Sequence, residues 1–364
     1  MGSIISEVNN MLFRVPLRET LGDAMHGKHT HFELNVVEIR TRDGYEGYGY
    51  TYTGGVGGRA VWQLIESDIR EDLIGQDADL TERIWASLYK KLHYVGRGGI
   101  DSFAISAVDI ALWDIKCKKA GMPLWRLIGG GTGRARAYAG GIDLDFTEER
   151  LLQNVQNYLD QGHTAVKIKL GKDTLAEDIA RVRAVRELIG PERLFMADAN
   201  YKWTPEYAVR ACEQLKKYDV MWLEEPCNPD NLAGYRQVAQ QGRMAIAAGE
   251  NFHTVYEFAH MFTYGHCDFP QPDASNIGGI TGWLKVAALS FAKEVPVSTH
   301  GMQELHVSLL SGVSNSGYLE IHSFPIEDYT THPLEIKDGY AYPSDEPGTG
   351  VVFRFDLLKP YQIY

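Results

Sequence analysis

Between about residues 131 and 325, short apolar runs alternate with amphipathic, helix-like segments at a spacing of roughly 25 residues. The runs read RAYAGGI, AVKIKL, LFMADAN, VMWLEEP, MAIAAGE, CDFPQPDA, VPVSTHG and YLEIHSF. Eight such runs separated mostly by helical patterns predict an α/β protein built on a parallel TIM-type barrel. Residues 1–130 follow a different rhythm. HFELNVVEIRTRDGYEGYGYTYTGG holds two alternating strands around Asp43-Gly44, and DSFAISAVDIALWDIKCKKAG holds one long helix. Asp101-Ser102 suits the start of that helix, and Gly121 with Pro123 its stop. Residues 326–364 lose both rhythms and carry turn signals, DGY and YPSDEPGTG, so they are expected to return to the N-terminal segment.

One run resists the simple pattern. In TAVKIKLG, Lys167 and Lys169 stand two residues apart, so their side chains share one face of the strand. They mark either a solvated edge strand or a strand that delivers two ammonium groups to a site. The other runs decide between these. They end in Asp198 and Asn200, Glu224 and Glu225, Glu250, Asp273, His300 and Glu320. Any one of these could cap the following helix. Ionisable groups at seven successive strand ends fit better with a site, because barrel strands deliver their C-terminal residues to one face.

The types of residue then suggest chemistry. Asp198, Glu224 and Glu250 form a hard oxygen set suited to Mg²⁺, and without a cation they would repel one another. Strand alternation should turn Glu225 away from that set, toward a cation or a backbone donor. Asp273 can orient His300 and raise its basicity. Two lysines side by side should lower each other's pKa, making one of them a usable base near neutral pH. Zinc suits these acids poorly, since no HxxxH or Cys/His cluster accompanies them.

Charge and composition narrow the partners. The 364-residue chain carries a formal net charge of −12, which argues against nucleic acid and means that an anionic substrate needs a local cation. No run approaches the length of a membrane span, and MGSIISEVNNMLFRVPL lacks the basic start and apolar core of a leader. Cys117, Cys212, Cys227 and Cys267 show no CxxC spacing, as expected of reduced, cytoplasmic cysteines.

The motifs KIK at 167–169, DAN at 198–200, EEP at 224–226, GEN at 249–251, QPDASNIGG at 271–279, THG at 299–301 and LEIH at 319–322 resemble, taken together, the mandelate racemase subgroup of the enolase superfamily. The resemblance spans essentially the whole chain. It implies a modified (β/α)7β barrel under an α+β cap made by both chain ends, and commonly a homo-oligomer, dimer or octamer. Asp198, Glu224 and Glu250 would bind Mg²⁺. Lys169 would act on one face of the substrate and His300, assisted by Asp273, on the other. Lys167 would contact the substrate carboxylate and Glu320 would hydrogen-bond one of its oxygens. Asn200 and the cap residues His26, His29 and Tyr52 would meet the rest of the substrate. Their polarity favours a sugar acid. HYVGRGGI, TGWLK and THGMQELHVSL resemble 3,6-anhydro-L-galactonate cycloisomerases, and less closely talarate/galactarate dehydratases.

Overall fold

The structure, a computed structural model, describes residues 2–364. Three long strands open the chain: β1 (Ile5–Asp23), β2 (Gly27–Thr41) and β3 (Glu46–Thr53), paired antiparallel in that order. The β2–β3 turn contains the expected Asp43-Gly44, with Gly44 at φ +92°. The helix Ile100–Ala120 lies against this sheet closely enough to require glycine. A Cβ at Gly49 would stand 2.0 Å from the Ala107 carbonyl oxygen, and one at Gly47 2.3 Å from that of Ala111. Its stop is as expected, with Gly121 left-handed at φ +63°. Its start is not. The helix begins at Ile100 after Gly99, and Asp101 and Ser102 lie inside its first turn, where the Ser102 hydroxyl donates back to the Gly99 carbonyl.

The barrel is made of β4 (Ala135–Gly140), β5 (Ala165–Lys169), β6 (Leu194–Asp198), β7 (Trp222–Glu224), β8 (Ala245–Ala248), β9 (Phe269–Pro270) and β10 (Tyr318–His322). Neighbours run parallel from β4 to β9, and β10 pairs with β4. The predicted run VPVSTHG fills the gap between β9 and β10 without forming a regular strand. Ser298 N–H donates to the Pro270 carbonyl at 2.8 Å and Thr299 N–H to that of Tyr318 at 3.1 Å, which closes the ring. Helices occupy the connections up to β10, among them Glu148–Asp160, Leu175–Ile189 and Gly279–Ala292. Inside the ring, Tyr138, Ala165, Met196, Trp222, Ala247 and Tyr318 pack as an apolar floor. The period of two along each strand then places Lys167, Lys169, Asp198, Glu224 and Glu320 above that floor.

The C-terminal segment has two destinations. The hairpin of β11 (Ile336–Lys337) and β12 (Tyr340–Ala341) adds to the barrel, with β12 antiparallel to β4. The last residues lie on β1, where Ile363 N–H donates to the Leu12 carbonyl at 2.8 Å and Tyr364 stacks on Trp62. Among the described residues, no helix is long and apolar enough to cross a membrane.

One buried group outside the site makes stability pH-dependent. His163, 3% exposed just before β5, has no partner for Nδ1, and burial holds its pKa down to about 4 from 6.5. Between those values the unfolded chain binds a proton that the folded chain excludes. This contribution is therefore complete above about pH 6.5 and is lost as pH falls toward 4, by up to about 3 kcal/mol. In His163→Leu, urea midpoints should fall less steeply across that window than in the parent; an unchanged slope would contradict the assignment.

Candidate active site

The two lysines of β5 are interior. Lys167 is fully buried, with Nζ 2.8 Å from Glu320, 3.5 Å from Asp198 and in closer contact with Glu224. Lys169 is 4% exposed and pairs with Asp198. The solvated-edge reading is thereby excluded. The expected lowering of the Lys169 pKa is also corrected. Burial does push it down, and Lys167 adds to that, but the carboxylates of Asp198, Glu250 and Glu224 carry it above the ordinary lysine value. Each ammonium contacts at least one carboxylate directly, so attraction outweighs the mutual repulsion.

Asp198, Glu224 and Glu250 come from the ends of β6, β7 and β8, and each offers an oxygen within 4.8 Å of the others. Burial pushes the Glu224 carboxyl up to about 8, with Lys167 opposing and Asp198, Glu320 and Glu250 reinforcing. Oε2 of Glu250 is buried without a hydrogen-bond partner. Crowded acids and an oxygen without a hydrogen bond fit a hard divalent cation such as Mg²⁺. Glu225 is outside this set, but not through simple alternation. The strand ends at Glu224, and Glu225 takes φ +38°, its carboxylate held by the Asn251 side-chain amide at 2.8 and 2.9 Å. The expected cation or backbone donor is replaced by that amide. Asn200, Tyr201 and Met302 also adopt positive φ beyond strand ends, local strain gathered at the barrel mouth.

His300 lines the same cavity as Lys169. Its Nδ1 lies 2.9 Å from Asp273 Oδ2, and its Nε2 lies 3.5 Å from Glu250. Burial alone would lower its pKa, but Glu250, Asp273 and Glu320 raise it to about 10. Tyr52, from β3, donates its hydroxyl to the same Asp273 oxygen at 2.9 Å. Cap and barrel thus share one hydrogen-bonded unit. Around it lies a cavity of about 370 Å³ lined by Lys169, Asn200, Glu250, Asp273 and His300 from the barrel. From the cap, Asp23, His26, His29 and Tyr52 line it too.

Residues 150–357 match the family described as enolase C-terminal domain-like, and residues 8–129 match the mandelate racemase / muconate lactonizing enzyme N-terminal domain. The chain belongs to the enolase superfamily. It is 43% identical over 355 residues, 98% of each chain, to the 3,6-anhydro-alpha-L-galactonate cycloisomerase of Streptomyces coelicolor. To the L-talarate/galactarate dehydratase of Salmonella typhimurium it is 33% identical, over 96% of this chain and 89% of the other. A Streptomyces coelicolor structure described as a racemase with bound magnesium superposes with a TM-score of 0.97 at 42% identity, covering 99% of this chain and 100% of that one. The Salmonella dehydratase liganded with Mg and L-lyxarohydroxamate gives 0.96 at 31% identity, covering 100% and 94%.

Lys167 and Glu320 do not line the cavity. Lys167 is enclosed by acids, and Glu320 binds Lys167 and accepts the Gly301 N–H at 3.1 Å. As placed, Lys167 is a counter-charge of the carboxylates. Elsewhere in the cap, Lys28 is exposed, and Tyr50 is buried with its hydroxyl on Glu304. The sequence reading passed over Asp23 and His322, both on the cavity wall. LEIH contains His322, and strand alternation from Glu320 would have placed it toward the mouth.

Proposed function

We propose that the protein converts a sugar acid to a 2-keto-3-deoxy acid by removing the proton α to the carboxylate and expelling the oxygen on the β carbon. The observation that carries this reading is the pair of proton-handling groups, Lys169 and His300–Asp273, lining one cavity beside Glu250. Neither a racemase nor a dehydratase is required by that geometry. The cycloisomerase reading, with 3,6-anhydro-L-galactonate as substrate, is favoured by 43% identity over nearly the whole chain, against 33% for the dehydratase. Asp198, Glu224 and Glu250 would hold Mg²⁺, which when bound supplies positive charge against the carboxylate oxygens as negative charge grows on them.

The chain's own groups do the rest. One of Lys169 and His300 takes the α proton, and the C–H electrons become the enediolate. Those electrons then form the Cα–Cβ double bond as the Cβ–O bond breaks, and the other group gives the departing oxygen its proton. In an anhydro ring that oxygen stays tethered, so the product is an isomer of the substrate once the enol becomes a ketone. Asp273 and Tyr52 hold the imidazole in place. The four free, buried cysteines favour a reducing compartment, so the reading places the enzyme in the cytoplasm.

The test is to incubate purified protein with Mg²⁺ and separately with 3,6-anhydro-L-galactonate, galactarate and talarate, following 2-keto acid and product mass. The expected product from the anhydro acid has the substrate's mass. A product lighter by one water, formed only from the open-chain diacids, would make the protein a dehydratase.

His322 offers a narrower check. Phe324 N–H donates to its Nδ1 at 3.2 Å, so the ring proton resides on Nε2, and burial pulls its pKa down to about 3. It is a neutral donor on the cavity wall. His322→Phe should raise KM by roughly tenfold, the scale of one neutral hydrogen bond, with kcat little changed. An unaltered KM would remove His322 from substrate binding.

A further inference from the structure

A second cluster of ligand-type side chains lies in the cap, apart from the barrel carboxylates. Asp23 ends β1, and His26 and His29 follow across the turn into β2. Each contributes one atom to a group lying within 4.8 Å of one another. Asp23 Oδ2 is 3.1 Å from His26 Nδ1 and 3.0 Å from His29 Nε2. Ligand atoms around tetrahedral Zn²⁺ are separated by about 3.3 Å, so the two Asp23–histidine distances are already near the edges of such a site, and the two nitrogens lie within 4.8 Å of each other.

The outward nitrogens support this arrangement. His29 Nδ1 faces the Gly54 carbonyl at 3.3 Å, and a carbonyl can only accept. A neutral imidazole has one N–H for these two acceptors, so with its proton on Nδ1 the Nε2 lone pair faces the Asp23 carboxylate, which also only accepts. Those two acceptors stay together only with a proton or a metal cation between them. The outer Nε2 of His26 lies 3.2 Å from the Tyr201 hydroxyl, which can donate to it or accept from it. A histidine whose far nitrogen is bound to an oxygen is oriented as metal-ligating histidines are.

We infer that Asp23, His26 and His29 form a binding site for a borderline transition-metal ion of the Zn²⁺ class, distinct from the barrel carboxylates and open toward the cavity. Two imidazoles and one carboxylate select such an ion over Mg²⁺, which prefers oxygen and keeps its water. All three residues line the cavity beside Lys169 and Asn200. The fourth position of the ion therefore faces the space a substrate would fill, and occupancy would fix the β1–β2 turn over the barrel mouth. This inference does not depend on which acid is turned over.

The test uses the full chain in saturating Mg²⁺, dialysed against Zn²⁺, with Co²⁺ as a spectroscopic substitute. Parent protein should retain a single equivalent of Zn²⁺, and Co²⁺ should give the intense visible absorption of a tetrahedral site. Glu224→Gln, which alters the barrel carboxylates, should keep both. His29→Gln and Asp23→Asn should lose both, with affinity at least 100-fold weaker. Tyr201→Phe, which removes only an outer partner, should weaken binding by about 10–100-fold. Circular dichroism identifies any variant that fails to fold, and Tyr201→Phe then serves alone. Failure of the parent to retain Zn²⁺ would overturn the inference and leave a protonated imidazole as the bridge. A tetrahedral Co²⁺ spectrum surviving in His29→Gln, or vanishing in folded Glu224→Gln, would overturn it as well.

Discussion

Glu224→Gln is expected to leave a folded protein that turns over its substrate more than about 10³-fold more slowly, a larger loss than removing a partner outside the ligand set would cause. Glu224 is central to the three converging oxygens, and its carboxyl is pushed up to about 8 by burial and acidic neighbours. A neutral amide therefore resembles the protonated acid that the fold already accommodates. Gln271 Nε2 and Trp222 Nε1 both donate to Oε2, at 2.9 and 3.2 Å, and an amide oxygen can accept from both. Lys167 keeps Glu320 as a counter-charge. The amide NH2 that replaces Oε1 faces the Lys167 ammonium, which is left with Glu320 and Asp198, so the stability cost should be about 1–3 kcal/mol. Calorimetric Mg²⁺ titration, denaturant unfolding and turnover together check this. Full activity with weak or absent Mg²⁺ binding would sink the ligand assignment, whereas a large fall in stability would make Glu224 a structural residue.

The second large effect belongs to His300. His300→Asn keeps much of the size and one hydrogen bond to Asp273 while removing the titrating nitrogen. Turnover should fall by about 10²-fold or more, the scale of a lost general acid or base. Mg²⁺ affinity should change little, because His300 lies outside the ligand set. In D₂O the variant also reveals the order of events. Continued exchange of the α hydrogen makes Lys169 the abstracting base and His300 the acid. Loss of exchange along with turnover makes His300 the base. Near-normal turnover would refute a two-sided mechanism, and the 2.9 Å contact with Asp273 would then be structural.

Most of the barrel could be read from the sequence because its signal is local. A short apolar run ending in a polar residue needs only its own side-chain period to place that residue at the mouth. The strands carrying Lys169, Asp198 and Glu224 were legible for that reason. The cap was less so. β1 runs for 19 residues, but charged residues interrupt its alternation, as in FRVPLRETLGD, and its pairing with β2 shifts register between Ile5 and Glu7 and between Pro16 and Leu21. VPVSTHG looked like its neighbours, yet joins the ring through scattered hydrogen bonds. What the sequence concealed most was the balance of charge. The Lys169 pKa depends on distances between strands, and three carboxylates from other strands outweigh the one lysine beside it. Glu225 concealed its own turn, since a positive φ at a glutamate carries no compositional signal. His26 and His29 appeared as polar lid residues, and only the fold shows Asp23 between them.

The hydroxyl of Tyr52 limits how freely this architecture can be recombined. A cap that merely selected substrates could be exchanged between relatives, trading preference while proton transfer stayed with the recipient barrel. Here the cap reaches into the reaction itself, because Tyr52 donates to the Asp273 oxygen that also holds His300, and lies 3.4 Å from His300 Nδ1. A transplanted cap lacking that tyrosine would leave the imidazole held by Asp273 alone and change the rate as well as the preference. Chimeras should therefore carry β3 through Tyr52 with the barrel, and draw their diversity from the turn between β1 and β2.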